Sequence, residues 1–348
     1  MGNKMNMQLR NISEDDFFNL KNNRERIKFL LNYAVLAPST HNSQPWLFKI
    51  KNNSCEIYKN EKLILPYADP IQRDLYISLG CCLENLVLAS KYFNVYDNLE
   101  YVIKDNLVAI VHFNNLTSSN FINDDFKIFI EGIKKRFNAR GVFLTKEIPE
   151  ELLKQIESLN DFNELEILFL KDKTKIEKVA RLISKGLEIA YMNKEFRKEM
   201  SRWIINNLST KKYGIPGYAL KMPLLVSFIF PYLIRFFNIG KKLGYLNYLS
   251  VKSAPSSCLI SAAENSPLIW CKVGQLAERI MVYLAAHDVQ ISIFVSAIEM
   301  GLDKELAEIF GTNLTPQFHF CIGYISSKHK YTPRYAPQEK LLENKNNG

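Results

Sequence analysis

Around Pro38 the apolar pattern changes period, and that change limits the possible folds more than any other feature of the sequence. In residues 23–36 the apolar positions Ile27, Leu30, Leu31, Ala34 and Val35 recur at helical spacing, and Pro38 stops the helix. Strand-like segments follow at 46–51 and 55–59, then a turn around Tyr67-Ala68-Asp69-Pro70 and a strong helix over 74–92. Two further alternating segments, 100–103 and 107–113, read as a hairpin closed by Asp105-Asn106.

The polar run 114–120 is a candidate seam. Beyond it the spacing predicts helices over 124–137, 149–159, 173–191 and 194–207, with a strand at 164–170 among them. Residues 214–253, rich in Pro, Gly and aromatics, break this rhythm and read as an insertion or lid. Regular structure resumes with a strand at 257–262, helices at 268–287 and 304–310, a strand at 317–325 and a basic tail over 328–340. Helices and strands mix without strict βαβ alternation, which predicts an α+β fold in two halves of similar plan, 1–120 and 121–340.

A chain of 348 residues exceeds the usual size of one compact core, so a two-domain or duplicated plan is expected. The formal charge of +9 is spread over scattered lysines. Such charge attracts phosphate-bearing ligands, nucleic acid or anionic membrane without choosing among them; a solvated basic surface is the commoner reading, and no nucleic-acid partner is expected. The six cysteines show no CxxC spacing and the five histidines form no metal-binding pair, so no metal site is expected. Residues 1–16 carry no apolar run of signal-peptide type, and Asn6 stands where a myristoylation signal needs Ser or Thr. A reducing cytoplasm fits these features. The apolar run 222–234 holds thirteen uncharged residues, too few to span a bilayer, and Pro231 is expected to interrupt it.

Two segments carry candidate chemistry. The first, Ala37-Pro38-Ser39-Thr40-His41-Asn42-Ser43-Gln44-Pro45-Trp46, joins a helix to a strand through a polar loop. Ser39, Thr40 and Asn42 offer short donors and acceptors suited to a flat polar ligand edge, although the same residue types make ordinary helix stops. The second is Arg136-Phe137-Asn138-Ala139-Arg140. Two guanidinium groups four residues apart can converge on one phosphate, or they can decorate a solvated helix end.

The string PSTHNSQPW resembles the PSxxNxQPW segment of the nitroreductase family, and RFNARGVF resembles that family's phosphate-gripping RxSxRxF segment, with Asn138 in place of Ser. Asp69-Pro70-Ile71-Gln72-Arg73-Asp74 is similar to a segment of the family's Acg-type branch, and the branch likeness covers almost the whole chain. The resemblance implies a nitroreductase-like fold whose two pseudo-symmetric halves stand in for the family's homodimer. It implies one FMN per chain, contacted by Pro38, Ser39, Thr40 and Asn42, with Gln44 and Trp46 holding the loop. Arg136, Asn138 and Arg140 would grip the phosphate, and Lys330 and Arg334 in the tail 328–334 would add a cation. A looser similarity of residues 295–303 to the family's flavin-N5 loop implies contacts from Ser296, Ala297 and Glu299, with residues 297–300 supplying the N5 contact.

The implied activity is hydride transfer from NAD(P)H to FMN and on to a small nitroaromatic or quinone-type acceptor, with no side-chain acid–base pair required. An FMN store closed by the 214–253 insertion is a second reading, and an interaction protein that has lost flavin is a third. The pattern implies a monomer with an internal pseudo-dimer, or a weak homo-oligomer, without a membrane span.

Overall fold

The computed structural model describes residues 9–114, 116–117, 121–326 and 329–342. The Asn6 position, residues 115 and 118–120 of the 114–120 seam, and Lys328 therefore lie outside the described residues.

After a short helix α1 (Asp15–Asn19), helix α2 (Asn23–Ala34) begins where the Asn22 side chain accepts from the Glu25 amide at 2.9 Å. It leads to strands β1 (Trp46–Lys51) and β2 (Ser54–Lys59), helix α3 (Arg73–Tyr92), and strands β3 (Tyr96–Lys104) and β4 (Leu107–Phe113). The four strands form an antiparallel sheet ordered β1-β2-β4-β3.

The second part repeats this plan with longer connections. Helices α4 (Lys127–Lys135) and α5 (Glu150–Ser158) precede β5 (Leu165–Leu170). Between β5 and β8 (Ser256–Ala262) lie α6 (Lys173–Met192), α7 (Lys194–Trp203), a two-residue pairing of β6 (Ile204–Ile205) with β7 (Ile215–Pro216), α8 (Leu224–Phe236) and α9 (Gly240–Ser253). Then come α10 (Pro267–Ala286), β9 (Gln290–Ile293), α11 (Ser296–Glu299), α12 (Asp303–Phe310) and β10 (Thr315–Gly323). The second sheet is ordered β5-β8-β10-β9, again antiparallel throughout. Counted within each part, both sheets run first–second–fourth–third, and a long helix links the second strand to the third. The fold is α+β with two halves of matching topology.

The two long helices, α3 and α10, cross at backbone contact. A Cβ on Gly80 would lie 2.1 Å from the Cys271 carbonyl oxygen, and one on Gly274 would lie 2.1 Å from that of Ile77. Gly80 with Glu84, and Gly274 with Glu278, occupy matching positions on the two helices. This Gly-x-x-x-Glu repeat was available in the sequence and marks the pseudo-symmetry directly. Around the crossing one apolar core joins Trp46, Phe48 and Ile57 of the first sheet to Ile260, Phe320 and Ile322 of the second. All six cysteines are buried and unpaired within it and its neighbours.

Several sequence expectations need correction. The helix expected over 124–137 is a short turn followed by α4, and the helix expected over 194–207 ends at Trp203 because Ile204 and Ile205 pair with Ile215 and Pro216. Pro231 does not interrupt the apolar run: α8 passes through it. The 214–253 segment is largely two helices, and β9 was not read at all.

Candidate functional site

The loop after α2 carries three consecutive-in-space departures from ordinary backbone: His41, Asn42 and Gln44 have φ of 54, 56 and 54°. Left-handed conformations cost free energy for residues other than glycine, so the surroundings must impose them. The Asn42 side-chain amide donates to the Gly214 and Pro333 carbonyls, each at 3.0 Å, while its oxygen accepts from Arg334. Gln44 donates to the Lys212 carbonyl at 2.8 Å and accepts from the Tyr335 amide at 2.9 Å; the Lys340 ammonium donates to the Gln44 carbonyl at 2.6 Å. The start of the insertion and the C-terminal tail thus clamp the loop. Asn42 and Gln44 have their side chains committed to that clamp.

Arg136 is placed by a second close crossing. Gly132 lets α4 press on α10, where a Cβ would sit 1.9 Å from the Val282 carbonyl oxygen. One turn earlier on α10 is Glu278, fully buried, and the Arg136 Nε lies 3.2 Å from its carboxylate. Arg136 also donates to the Leu36 carbonyl at the end of α2. Arg10 reaches the same place from the N-terminal segment, donating to the carbonyls of Ile133 and Lys134 at 3.0 and 2.9 Å and stacking over the Tyr331 ring. Arg334 arrives from the tail, donating to Thr332 Oγ1 at 2.7 Å.

Arg10, Arg136 and Arg334 are each more than nine-tenths buried. Burial, and then the neighbouring Arg136, push the Arg10 guanidinium down to about 9; burial, Arg136 and Arg10 push Arg334 far below the usual range. Glu278 is the carboxylate that faces them, and burial raises it to about 7 despite Arg136. Three buried guanidiniums against one carboxylate leave an excess of positive charge. Arg334 Nε and His41 Nε2 are among the buried polar atoms here with no hydrogen-bond partner among the described residues, and Arg136 Nε and the Glu278 carboxylate meet only as an ion pair. Arg140 makes no hydrogen bond or ion pair among them, and burial lowers it too. Burial also pushes His41 down to about 4, so its ring is neutral near pH 7.

These groups surround a cavity of about 550 Å³, within the range of small-molecule sites. Pro38, Ser39, Asn42, Arg136, Asn138, Arg140, Lys330 and Arg334 all line it. Asn138 also accepts from the Ile293 amide at 3.0 Å, which fixes it against β9. Thr40 and Gln44 stand behind the wall. The cluster 296–300 does not reach the cavity: Ser296 donates to the Ile183 carbonyl at 2.8 Å, Ala297 is fully buried, and the amides of Ile298, Glu299 and Met300 are bonded within their own turn. Glu299 instead joins Asp69 and Asp74 beside Arg73, where burial and the Asp74 charge push it well above the carboxylate range.

Sequence reasoning missed Arg10, an isolated arginine with no neighbouring pattern. It also missed the apolar wall of Phe137, Ile215, Tyr218, Met222 and Ile293. The segment from Ile215 to Pro223 supplies part of that wall, so the insertion does border the site.

With that cavity defined, the proteins to which the chain is similar are nitroreductases and FMN oxidoreductases. Two Mycobacterium tuberculosis sequences, each named "Putative NAD(P)H nitroreductase", are 37% identical over 65 residues, which is 19% of this chain and 19% of theirs. The matched segment thus spans about a fifth of those curated relatives. No protein-family profile matches the chain. Among solved structures, nitroreductase A from Vibrio parahaemolyticus aligns at 13% identity over 64% of this chain and 77% of its own, with a TM-score of 0.40. The FMN-dependent nitroreductase from Mycobacterium smegmatis in complex with NADPH aligns at 15% identity over 63% and 97%, also with a TM-score of 0.40.

Proposed function

We propose that this chain is an FMN-binding NAD(P)H oxidoreductase of nitroreductase type, with a nitroaromatic or quinone-type acceptor. The observation that carries the reading is the excess of buried positive charge at the cavity. Arg10, Arg136 and Arg334 share one carboxylate, and Arg140 beside them has no partner among the described residues. A phosphate monoester supplies the missing negative charge and several acceptor oxygens. The residues fit FMN in a second respect: part of the wall, formed by Phe137, Ile215, Tyr218, Met222 and Ile293, is apolar and aromatic, as a fused ring system requires. The sequence resemblance and the 65-residue match point the same way.

In this reading Arg140, Arg136 and Lys330 hold the phosphate, and Ser39 and the neighbouring backbone border the ribityl chain. Asn42, Gln44 and Thr40 keep the loop in shape, and Asn138, held against β9, lines the cavity beside the arginines. FMN, when bound, supplies the hydride chemistry between NAD(P)H and the acceptor. The neutral His41 borders the cavity without adding a charge to it. The assignment of residues 1–120 and 121–340 to two nitroreductase-like halves belongs to the same proposal. So does the completion of one site by a single chain.

Anaerobic addition of NADPH, then NADH, to the FMN-loaded protein tests the activity. Prompt bleaching of the flavin spectrum is expected. A flavin that stays oxidised would instead favour storage, a reading drawn from the Ile215–Pro223 segment that forms one wall of the cavity.

A further inference from the structure

We propose that the α8–α9 hairpin seats in the headgroup region of an anionic phospholipid bilayer. A surface helix ordinarily buries one apolar stripe and shows a polar one. Helix α8 buries only Ser227, Phe230 and Ile234, and its remaining surface is also apolar. Leu225, Ile229 and Phe236 are 77, 63 and 66% exposed, and Tyr232, Phe237 and Leu246 extend the patch across the bend into α9. A contiguous apolar surface of this kind marks an interaction site.

The charge around the patch identifies its partner. From residue 200 to residue 263 the chain has eight Lys and Arg and no Asp or Glu. Lys221, Arg235, Lys241 and Lys242 are exposed next to the apolar face. Apolar and aromatic side chains flanked by exposed cations are the signature of a helix that lies in the interface of a negatively charged membrane. A second copy of the chain fits less well. A two-fold contact would set the patch on itself and bring each cationic rim against its own copy.

The geometry favours lying on the bilayer over crossing it. No single helix among the described residues is long and apolar enough to cross; α8 and α9 together reach the length and composition of a span, but they are bent by 118° and do not form one straight rod. Tyr218, Ala219, Lys221, Met222 and Pro223, just before α8, line the cavity, so the bilayer-facing hairpin and one wall of the site are continuous in sequence.

Flotation of the full chain with phosphatidylglycerol–phosphatidylcholine vesicles tests this inference. Binding is expected with these vesicles and not with pure phosphatidylcholine. It should fall at least about tenfold in Lys241→Glu/Lys242→Glu, given the contribution of each cation near an anionic surface, and in Ile229→Asp/Phe236→Asp. Urea unfolding of the same variants, whose substituted residues lie outside the cavity, should be almost unchanged; this confirms folding whether or not the chain binds FMN. Absence of flotation, equal flotation with neutral vesicles, or flotation indifferent to both variants would overturn the inference. So would a concentration-dependent dimer that Ile229→Asp abolishes in a protein that ignores vesicles.

Discussion

At the scale of single residues, the arginines around the cavity separate into two kinds. Arg140 has no partner among the described residues, so Arg140→Ala removes a ligand contact and little else. FMN affinity should fall about 10- to 100-fold, the range of a charge-assisted hydrogen bond, with unfolding free energy almost unchanged. Arg136→Ala leaves Glu278 buried without its partner, and breaking such a pair costs about 3–5 kcal/mol. Chemical denaturation should report that loss along with the loss of binding. Glu299 gives the opposite case. Its folded pKa is raised above the ordinary 4.5 by burial first and then by Asp74. The folded state therefore holds its proton where the unfolded state has lost it, so this group's effect on stability worsens as pH rises above about 4.5. Glu299→Gln should flatten that decline in a series of melts at rising pH while leaving FMN affinity intact. A drop in affinity would mean that the Glu299 side chain acts on the cavity although it does not line it.

Elements show where sequence reasoning had physical purchase. Helix α2, strands β1 and β4 and helix α10 were legible because each has a clean apolar period, and Pro38 adds a strong stop just after α2. The site loop was legible through PSTHN and RFNAR, motifs whose residues the fold brings to one cavity. Strand β9 was not, because four residues carry too little alternation. Helix α8 escaped because it is apolar on every face, which erases the periodic signal, and because Pro231 reads as a breaker that its neighbours tolerate. The Arg10 contribution depends on long-range packing and has no local signature. At this scale the crossing of α3 and α10 is decisive, since it registers one half against the other. Gly274→Ala would place a methyl 2.1 Å from the Ile77 carbonyl oxygen, and the backbone there cannot yield locally. Overpacking of this kind should cost about 1–3 kcal/mol or more in urea unfolding. A loss under half a kcal/mol would mean that the helices are less tightly registered than described.

For the molecule as a whole, the matching halves are not chemically equivalent. Glu84 occupies the position on α3 that Glu278 occupies on α10, but it accepts from Gln275 Nε2 at 3.0 Å and Arg279 Nε at 2.6 Å. Arg279 also pairs with Asp161. One cation between two carboxylates leaves that location with no excess positive charge, whereas three arginines surround Glu278. Among the described residues the excess of positive charge thus lies at only one of these two matching positions, and in the proposed reading a single chain completes that one site. Equilibrium titration of the purified protein with FMN and with riboflavin tests this account most directly. It predicts one FMN per chain, bound at least tenfold more tightly than riboflavin because the arginines hold the phosphate. Two FMN per chain, or equal affinity for the two flavins, would contradict it.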